Sequence, residues 1–201
     1  MPVYLSEKAN ALLKNEFADV VLVGKAAPVY PAIETHPDIY MCRLPDGCLI
    51  KAQKGEIGNS YPKDIPFNAV CLDRYFIHNL KYTNQRLLKC AKELGLKPVN
   101  VKQGYTKCSC TVVDGKSIIT ADEGIFSALS AIDDVDVLKI TPGYVALNGF
   151  EFGFLGGASG RVGNTMYFSG DITKHPDYSK ISSFIYERGL EIGRASCRER
   201  V

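Results

Sequence analysis

The sequence predicts an α/β fold assembled from a repeated β-β-α-β unit. Residues 111–122 and 160–171 share one layout, in which two strands joined by a tight turn are followed by an acidic residue and a helix-like apolar pattern. Residues 67–79 form a third copy. The positions that align between the three copies are Asn79, Asp122 and Asp171. They are 43 and 49 residues apart, and a period of about 45 residues is typical of propellers and solenoids.

The N-terminal part of the chain fits the same unit in fragments. Residues 6–17 have a helical pattern with Ser6 as the expected N-cap, and residues 20–23 form an apolar strand. Residues 39–44 and 48–52 flank a Pro-Asp-Gly turn and predict a hairpin. The chain therefore begins partway through a unit, with a helix followed by a strand.

Turn and cap signals support each complete copy. An Asp-Gly pair at 114–115 and a Gly-Asn pair at 163–164 predict two-residue hairpins. Asp122 and Asp171 each precede a helix-like segment, where a carboxylate caps exposed N–H groups. The third copy is followed by a helix predicted at 84–96. Short apolar strands, which complete two of the units, are predicted at 98–101 and 135–140.

A closed ring would explain why the chain begins and ends within a unit, because the final strands would pair beside the N-terminal strand and leave no exposed edge. Residues 191–201 are not expected to supply those strands, since they contain three Arg, two Glu and little apolar content. They also resemble one reading frame of a common sequencing adapter. We therefore expect a single domain at 1–190, truncated at its C-terminus, and an artefactual tail at 191–201, with an ordinary polar C-terminus as the alternative. A truncated ring would expose an apolar edge, which predicts aggregation.

Residues 104–124, and the segment 153–160 with the hairpin after it, resemble the pentein fold, the five-bladed α/β propeller of the guanidino-group-modifying enzymes. These enzymes include arginine and agmatine deiminases, dimethylarginine hydrolases and amidinotransferases. The chain resembles in particular an uncharacterised bacterial family assigned to that fold. The resemblance implies a pentein-type α/β propeller of repeated β-β-α-β units over most of residues 1–190.

The resemblance also implies a mechanism, in which a cysteine near the C-terminus attacks the guanidinium carbon, a histidine shuttles protons and two carboxylates hold the cation. The segment that should carry this cysteine is absent or overwritten, and Cys197 lies in the suspected tail. At the two positions around the double glycine where the family has acidic residues, this chain has Leu155 and Ala158. The family's Arg-Asp pair is replaced by Cys-Ser at 108–109 or by Ser-Cys at 109–110. The missing carboxylates argue against guanidine chemistry in this chain.

Cys108 and Cys110 alternate on a predicted strand, so both thiols are expected on the same side. If that side faces the central channel, they would serve as metal ligands or as redox or nucleophilic thiols. Alternatively, they are small buried hydrophobic side chains on a core strand. A lone Cys-x-Cys segment without nearby His or Cys partners does not define a metal site, so we expect no metal and no cofactor.

The glycine-rich segment 156–160 is expected at the channel. Its backbone N–H groups would contact an anionic group of a ligand. Alternatively, the segment packs at the narrow centre of the ring, where only small residues fit. It lacks the lysine and the spacing of a P-loop. The candidate ligand-binding residues are Ser109, Gly156, Gly157, Ser159 and Asp171.

Two histidines, His36 and His175, occur in a repeated His-Pro-Asp tripeptide. The proline opens a turn or a helix and the aspartate supports its first N–H groups, which favours a structural role. His175 remains a catalytic candidate beside the two cysteines because it follows the strand that carries Asp171. His78 ends an apolar strand and is interpreted as structural.

Composition and charge limit the classes of partner. The chain has 201 residues with 24 Lys+Arg, 22 Asp+Glu and a net charge of +2, which gives no electrostatic case for nucleic-acid or membrane binding. No apolar run approaches the roughly 20 residues that cross a bilayer. Seven cysteines, an odd number, in a sequence without an export signal predict reduced thiols and a cytoplasmic location.

These observations lead to two hypotheses. The first is a non-catalytic or catalytically degenerate protein that binds a small amino-acid-like ligand in the central channel. The second is a hydrolase or amidinotransferase that acts on C–N bonds, with its catalytic cysteine in the missing C-terminus. We favour the first because no complete set of nucleophile, base and anionic groups can be assembled from this sequence. The sequence indicates no oligomeric state.

Overall fold

A computed structural model describes residues 2–13 and 15–193 of the chain. Within these ranges the chain forms five α-helices and thirteen short strands, which pair into five small sheets. The predicted α/β class is confirmed. None of these helices is both long and apolar enough to cross a membrane. Cys197 and the other residues of the predicted tail from 194 onward lie outside the described residues.

The first sheet is a parallel pair near the N-terminus. Strand β1 (Val3–Leu5), helix α1 (Glu7–Leu13) and strand β2 (Val20–Leu22) form a β-α-β segment in which β1 pairs with β2. The expected cap of α1 is confirmed, since the hydroxyl oxygen of Ser6 accepts the N–H of Ala9 at 3.1 Å. The sequence pattern predicts the helix and β2 but not β1, whose three residues are too few to show a period.

The second sheet is the hairpin predicted around the Pro-Asp-Gly turn. It consists of β3 (Met41–Arg43) and β4 (Leu49–Lys51), which pair antiparallel, and the short helix α2 (Pro37–Tyr40) precedes it. Gly47 in the turn has a φ of 86°, a conformation that residues with side chains rarely adopt. The hairpin therefore depends on glycine at this position.

Three three-stranded sheets repeat the predicted β-β-α-β order. In each, the first two strands pair antiparallel, a helix follows, and the third strand pairs parallel with the second. One sheet and its helix comprise β5 (Val70–Cys71), β6 (Tyr75–His78), α3 (Gln85–Glu93) and β7 (Lys97–Asn100). The next comprise β8 (Cys110–Val112), β9 (Ser117–Thr120), α4 (Glu123–Ser130) and β10 (Asp136–Lys139). The last comprise β11 (Ser159–Val162), β12 (Thr165–Phe168), α5 (Tyr178–Tyr186) and β13 (Glu191–Ile192).

Strand β13 corrects the expectation that no strand follows residue 190. Glu191 and Ile192 pair in parallel with Thr165 and Met166. The pairing uses backbone groups, and Ile192 packs against the apolar cluster of its own unit, so the polar composition of the later residues does not prevent it. The boundary at residue 190 and the origin of the tail stay predictions.

Capping by the two aligned aspartates differs between the units. Asp122 caps α4 as predicted, because its Oδ1 atom accepts the N–H of Ile125 at 2.8 Å. Asp171 instead caps a 3-10 turn at Ile172–Lys174, and α5 begins only at Tyr178. The extra turn places this carboxylate away from the helix that it was expected to cap.

Consecutive sheets pack against each other through shared apolar clusters. The hairpin β3–β4 contacts the β5–β7 sheet, the β5–β7 sheet contacts the β8–β10 sheet, and the latter contacts the β11–β13 sheet. The pairs of clustered residues that represent these contacts are Ile50 with Phe76, Val70 with Ile118, and Ile119 with Met166. This side-by-side order brings one edge strand of each sheet toward a common space.

Candidate functional site

A cavity of about 590 Å³ lies where edge strands of all five sheets meet. Residues of β1, β3, β5, β8 and β11 line it, together with residues of α1. We call it the five-strand cavity. Its volume is in the range of small-molecule sites, and its walls come from parts of the chain that are distant in sequence.

The wall of the five-strand cavity carries charged side chains of both signs. The basic ones are Arg43, Lys107 and Arg161, and the acidic ones are Asp38, Asp73 and Asp114. Lys107 and Asp38 form an ion pair across 3.4 Å. Burial is the largest single effect on the Lys107 ammonium and disfavours its charge, but the Asp38 carboxylate and neighbouring groups outweigh burial and raise the pKa. The wall thus presents a positive and a negative group side by side.

His36 is held at this wall through both nitrogen atoms of its ring. Its Nδ1 atom accepts the N–H of Asp38 at 3.3 Å and so caps α2, and its Nε2 atom lies 2.9 Å from the carbonyl oxygen of Gly157. With Nδ1 as an acceptor, Nε2 carries the hydrogen and donates it to the carbonyl oxygen of Gly157. The first His-Pro-Asp tripeptide does begin a helix, but the histidine supplies the cap.

Cys108 lies in a turn, which corrects the expectation of two thiols on one strand. Residues 106–109 form this turn, and β8 begins only at Cys110. The Cys108 thiol accepts a hydrogen bond from Asn68 Nδ2 at 3.1 Å, and the Cys108 N–H donates to Asn68 Oδ1 at 3.1 Å. Burial raises the pKa of the Cys108 thiol to about 12, so the sulfur is protonated at neutral pH and is a weak nucleophile.

The glycine segment is closely packed. A Cβ atom at Gly156 would collide with the backbone carbonyl of Cys110, and one at Gly157 would lie 3.0 Å from His36 Nε2. The N–H of Gly157 already donates to the carbonyl oxygen of Cys108 at 2.8 Å. These contacts correct the expectation that this N–H is directed at an anion, and they match the alternative in which only small residues fit.

A second cavity of about 310 Å³ is lined by Ser109, His175 and much of the segment 141–155. The Ser109 hydroxyl is buried and has no hydrogen-bond partner among the described residues. The His175 Nδ1 atom accepts the N–H of Asp177 at 3.1 Å, and burial lowers the pKa of this imidazole, which is therefore neutral near pH 7. The predicted site is thus divided between two cavities, because Ser109 leaves the turn toward a different space from its neighbour Cys108.

The remaining predicted residues have different surroundings. Cys110 is fully buried in the core between the β5–β7 and β8–β10 sheets, as the buried-hydrophobe alternative states, and burial raises the pKa of its thiol to about 12. Asp171 caps the turn before α5 and lines neither cavity. Ser159 lines the five-strand cavity, and its hydroxyl lies 2.9 Å from the hydroxyl of Thr111. Gly156 is buried outside the cavity wall.

Four residues around Cys108 are not predicted as site residues, although the structure brings them together. They are His36, Asp38, Asn68 and Lys107. The repeated His-Pro-Asp tripeptide is a signal for two of them. No local signal marks Asn68 or Lys107, because their contacts with Cys108 and Asp38 span 40 and 69 residues and depend on how the sheets pack.

Comparison of the chain with curated proteins and with solved structures gives no match. A family model matches residues 45–199, which is more than half of the chain. The chain therefore belongs to the DUF6873 family, a family of unknown function.

Proposed function

We propose that this chain is a pentein-type α/β propeller that binds a small amino-acid-like ligand in the five-strand cavity and catalyses no reaction. The observation that carries the proposal is that every sheet contributes an edge strand to that cavity. The rings of Phe17 and Tyr167 also lie 4.8 Å apart, so an N-terminal segment packs against the last sheet. Sheets that follow one another around a common space, with early and late segments in contact, are expected of a closed ring.

The charged pair at the wall supports a ligand that carries both charges. An amino acid presents an ammonium and a carboxylate within a few atoms of each other. Asp38 and Lys107 are 3.4 Å apart and could each turn to one of these groups. The ligand would then replace one ion pair by two charge-assisted hydrogen bonds, and the charge of the wall would stay balanced.

Thermal unfolding with free amino acids, and with agmatine as a guanidino compound, tests binding. At a ligand concentration of about 100 Kd the folded state gains about 2.7 kcal/mol, which raises the melting temperature. We expect this rise with at least one amino acid, and its loss in Asp38→Asn and Lys107→Met. Glu93→Gln is the matched control, because Glu93 lies on the exposed face of α3 and pairs there with Lys89. No rise with any amino acid, or an unchanged rise in Asp38→Asn, would contradict the proposal.

The ring has its own test. An experimentally determined structure should show five sheets related by rotation about one axis that passes through the five-strand cavity. An open sheet layer without such an axis would refute the pentein assignment while leaving the binding experiment valid.

A hydrolase or amidinotransferase that acts on C–N bonds is the second candidate. The second cavity favours it, since the unpartnered Ser109 hydroxyl and the neutral His175 imidazole face the same space. Such an enzyme would require a nucleophile beyond Cys108 and Cys110, because both thiols are protonated. Release of ammonia or urea from arginine or agmatine would support this candidate over simple binding.

A further inference from the structure

Three potential metal ligands of different chemistry lie close together beside the five-strand cavity. His36, Asp38 and Cys108 each offer one donor atom, and these atoms all lie within 4.8 Å of one another. The His36 Nδ1 and Asp38 Oδ2 atoms are 3.9 Å apart. Bonds of about 2.0–2.3 Å in a tetrahedral zinc site place ligand atoms roughly 3.3–3.8 Å apart. A contraction of about 1 Å would therefore complete the set.

We propose that His36, Asp38 and Cys108 form a three-ligand Zn²⁺ site whose fourth position opens into the five-strand cavity. One nitrogen, one oxygen and one sulfur donor suit zinc, whereas magnesium and calcium take oxygen ligands. His36 and Asp38 line the cavity themselves, so a metal between them is accessible to a water or a small ligand. The inference depends on these three side chains and not on the ring or on an amino-acid ligand.

Neighbouring groups already orient the ligands. The bond from His36 Nε2 to the Gly157 carbonyl fixes the ring so that Nδ1 is the nitrogen left to bind a metal, which is the usual arrangement of metal-bound histidines. Asn68 holds Cys108 through one bond to its sulfur and one to its backbone. A Cβ atom at Gly157 would lie 3.0 Å from His36 Nε2 and 3.6 Å from Cys108 Sγ, so glycine at this position keeps the site compact.

Metal binding must displace existing interactions. Nδ1 would give up its 3.3 Å contact with the N–H of Asp38, and Cys108 would release its thiol proton to solvent as the sulfur–zinc bond forms. The Lys107 ammonium lies 3.4 Å from Asp38 Oδ2 and repels a cation in the same place. Removal of the Lys107 charge is therefore expected to strengthen metal binding.

Cobalt(II) binding to the full chain, reduced and freed of metal by a chelator, tests the site. One equivalent of Co²⁺ should give a thiolate-to-cobalt charge-transfer band, and Zn²⁺ should abolish the band by displacement. Cys108→Ser should lose the band. Cys110→Ser and Cys48→Ser should keep it, because Cys110 is buried in the core and Cys48 is exposed at the surface. Absence of the band in the unmodified chain, or its persistence in Cys108→Ser, would overturn the proposal.

The zinc affinities of variants at His36, Asp38 and Lys107 distinguish this proposal from amino-acid binding. His36→Ala and Asp38→Asn should weaken zinc binding at least about tenfold, and Lys107→Met should strengthen it about tenfold. The same Lys107→Met variant should lose the amino-acid response, so the two proposals fail independently. If Cys108→Ser does not fold, X-ray absorption at the zinc edge of the zinc-loaded, unmodified chain tests the site instead. The proposal requires one sulfur atom in the coordination shell, and a shell that contains no sulfur would refute it.

Discussion

The imidazole of His36 donates a hydrogen bond to the carbonyl oxygen of Gly157 across 2.9 Å, although 121 residues separate them in the chain. The bond joins the segment before α2 to the turn before β11 at the wall of the five-strand cavity. A Cβ atom at residue 157 would lie 3.0 Å from the same nitrogen of His36. A side chain at this position would therefore push the His36 ring away by a few tenths of an ångström.

Replacement of Gly157 by alanine should destabilise the fold by about 1–3 kcal/mol, since the imidazole of His36, which is held by two hydrogen bonds, must shift. Gly156→Ala should cost more, because its Cβ meets a backbone carbonyl that cannot turn aside. Gly160→Ala on β11 is the matched control, since a Cβ there meets nothing within 4 Å. Urea denaturation followed by circular dichroism measures the three values. Equal stability of Gly157→Ala and Gly160→Ala would contradict the packing described here.

The buried His78 predicts a loss of stability in acid. Its Nδ1 atom lies 2.7 Å from the Thr83 hydroxyl and its Nε2 atom 3.1 Å from the Gly104 carbonyl oxygen. Burial lowers the pKa of His78 to about 4, compared with about 6.5 in the unfolded chain. The unfolded state therefore binds the proton first as the pH falls. The contribution of His78 to stability is complete above about pH 6.5 and is lost between about pH 6.5 and 4.

The size of this loss can be measured by comparison with His78→Gln, which keeps a polar side chain but does not titrate. One pKa unit corresponds to about 1.4 kcal/mol, so the free energy of unfolding should fall by about 2–3 kcal/mol more in the unmodified chain than in the variant. Urea denaturation of both proteins at about pH 7 and about pH 4.5 gives the change in the free energy of unfolding for each. The carboxylates titrate alike in the two proteins, so their contribution cancels in the comparison. An equal pH dependence in both proteins would show that His78 is not neutral in the fold.

Local patterns predict the local parts of this fold. The Asp-Gly pair lies in the turn between β8 and β9, and Asp122 caps α4, because turn and cap residues act on backbone groups within three residues of themselves. The same reasoning misplaced Asp171 by one turn, since nothing nearby shows that a 3-10 turn precedes α5. The repeated order of strands and helices follows from these local signals.

The candidate site depends on contacts that no local pattern encodes. Strand alternation predicts the thiols of Cys108 and Cys110 on one side, but Cys108 lies in a four-residue turn, and Ser109 of the same turn lines the second cavity. Asn68 meets Cys108 across 40 residues, and His36 meets Gly157 across 121. Such contacts follow from the packing of one sheet on the next. The sequence therefore shows which residue types are present but does not predict which of them are in contact.

The carboxylate of Asp177, which lies beside the second cavity, is expected to stabilise the fold. Its Oδ2 atom accepts the N–H of Thr141 at 2.7 Å and its Oδ1 atom lies 3.0 Å from Lys180 Nζ, and these bonds hold its pKa well below the usual range. Asp177→Asn should cost about 1–3 kcal/mol at neutral pH, because a charge-assisted bond becomes a neutral one. Asp171→Asn is the control and should be nearly neutral, since asparagine caps a turn as well as aspartate. Thermal unfolding that ranks the two variants in the opposite order would refute this role.

The described cysteines should differ widely in reactivity toward iodoacetamide. Cys48 is exposed, whereas Cys108 and Cys110 are buried and the pKa of each thiol is raised to about 12. Against the usual value of about 8.5, that shift lowers the thiolate fraction on the order of a thousandfold. Labelling of the native, metal-free chain, followed by mass spectrometry of the peptides, should therefore modify Cys48 long before the other two. Equal labelling after denaturation would serve as the control, and rapid native labelling of Cys108 would mean that its sulfur is an exposed thiolate able to act as a nucleophile.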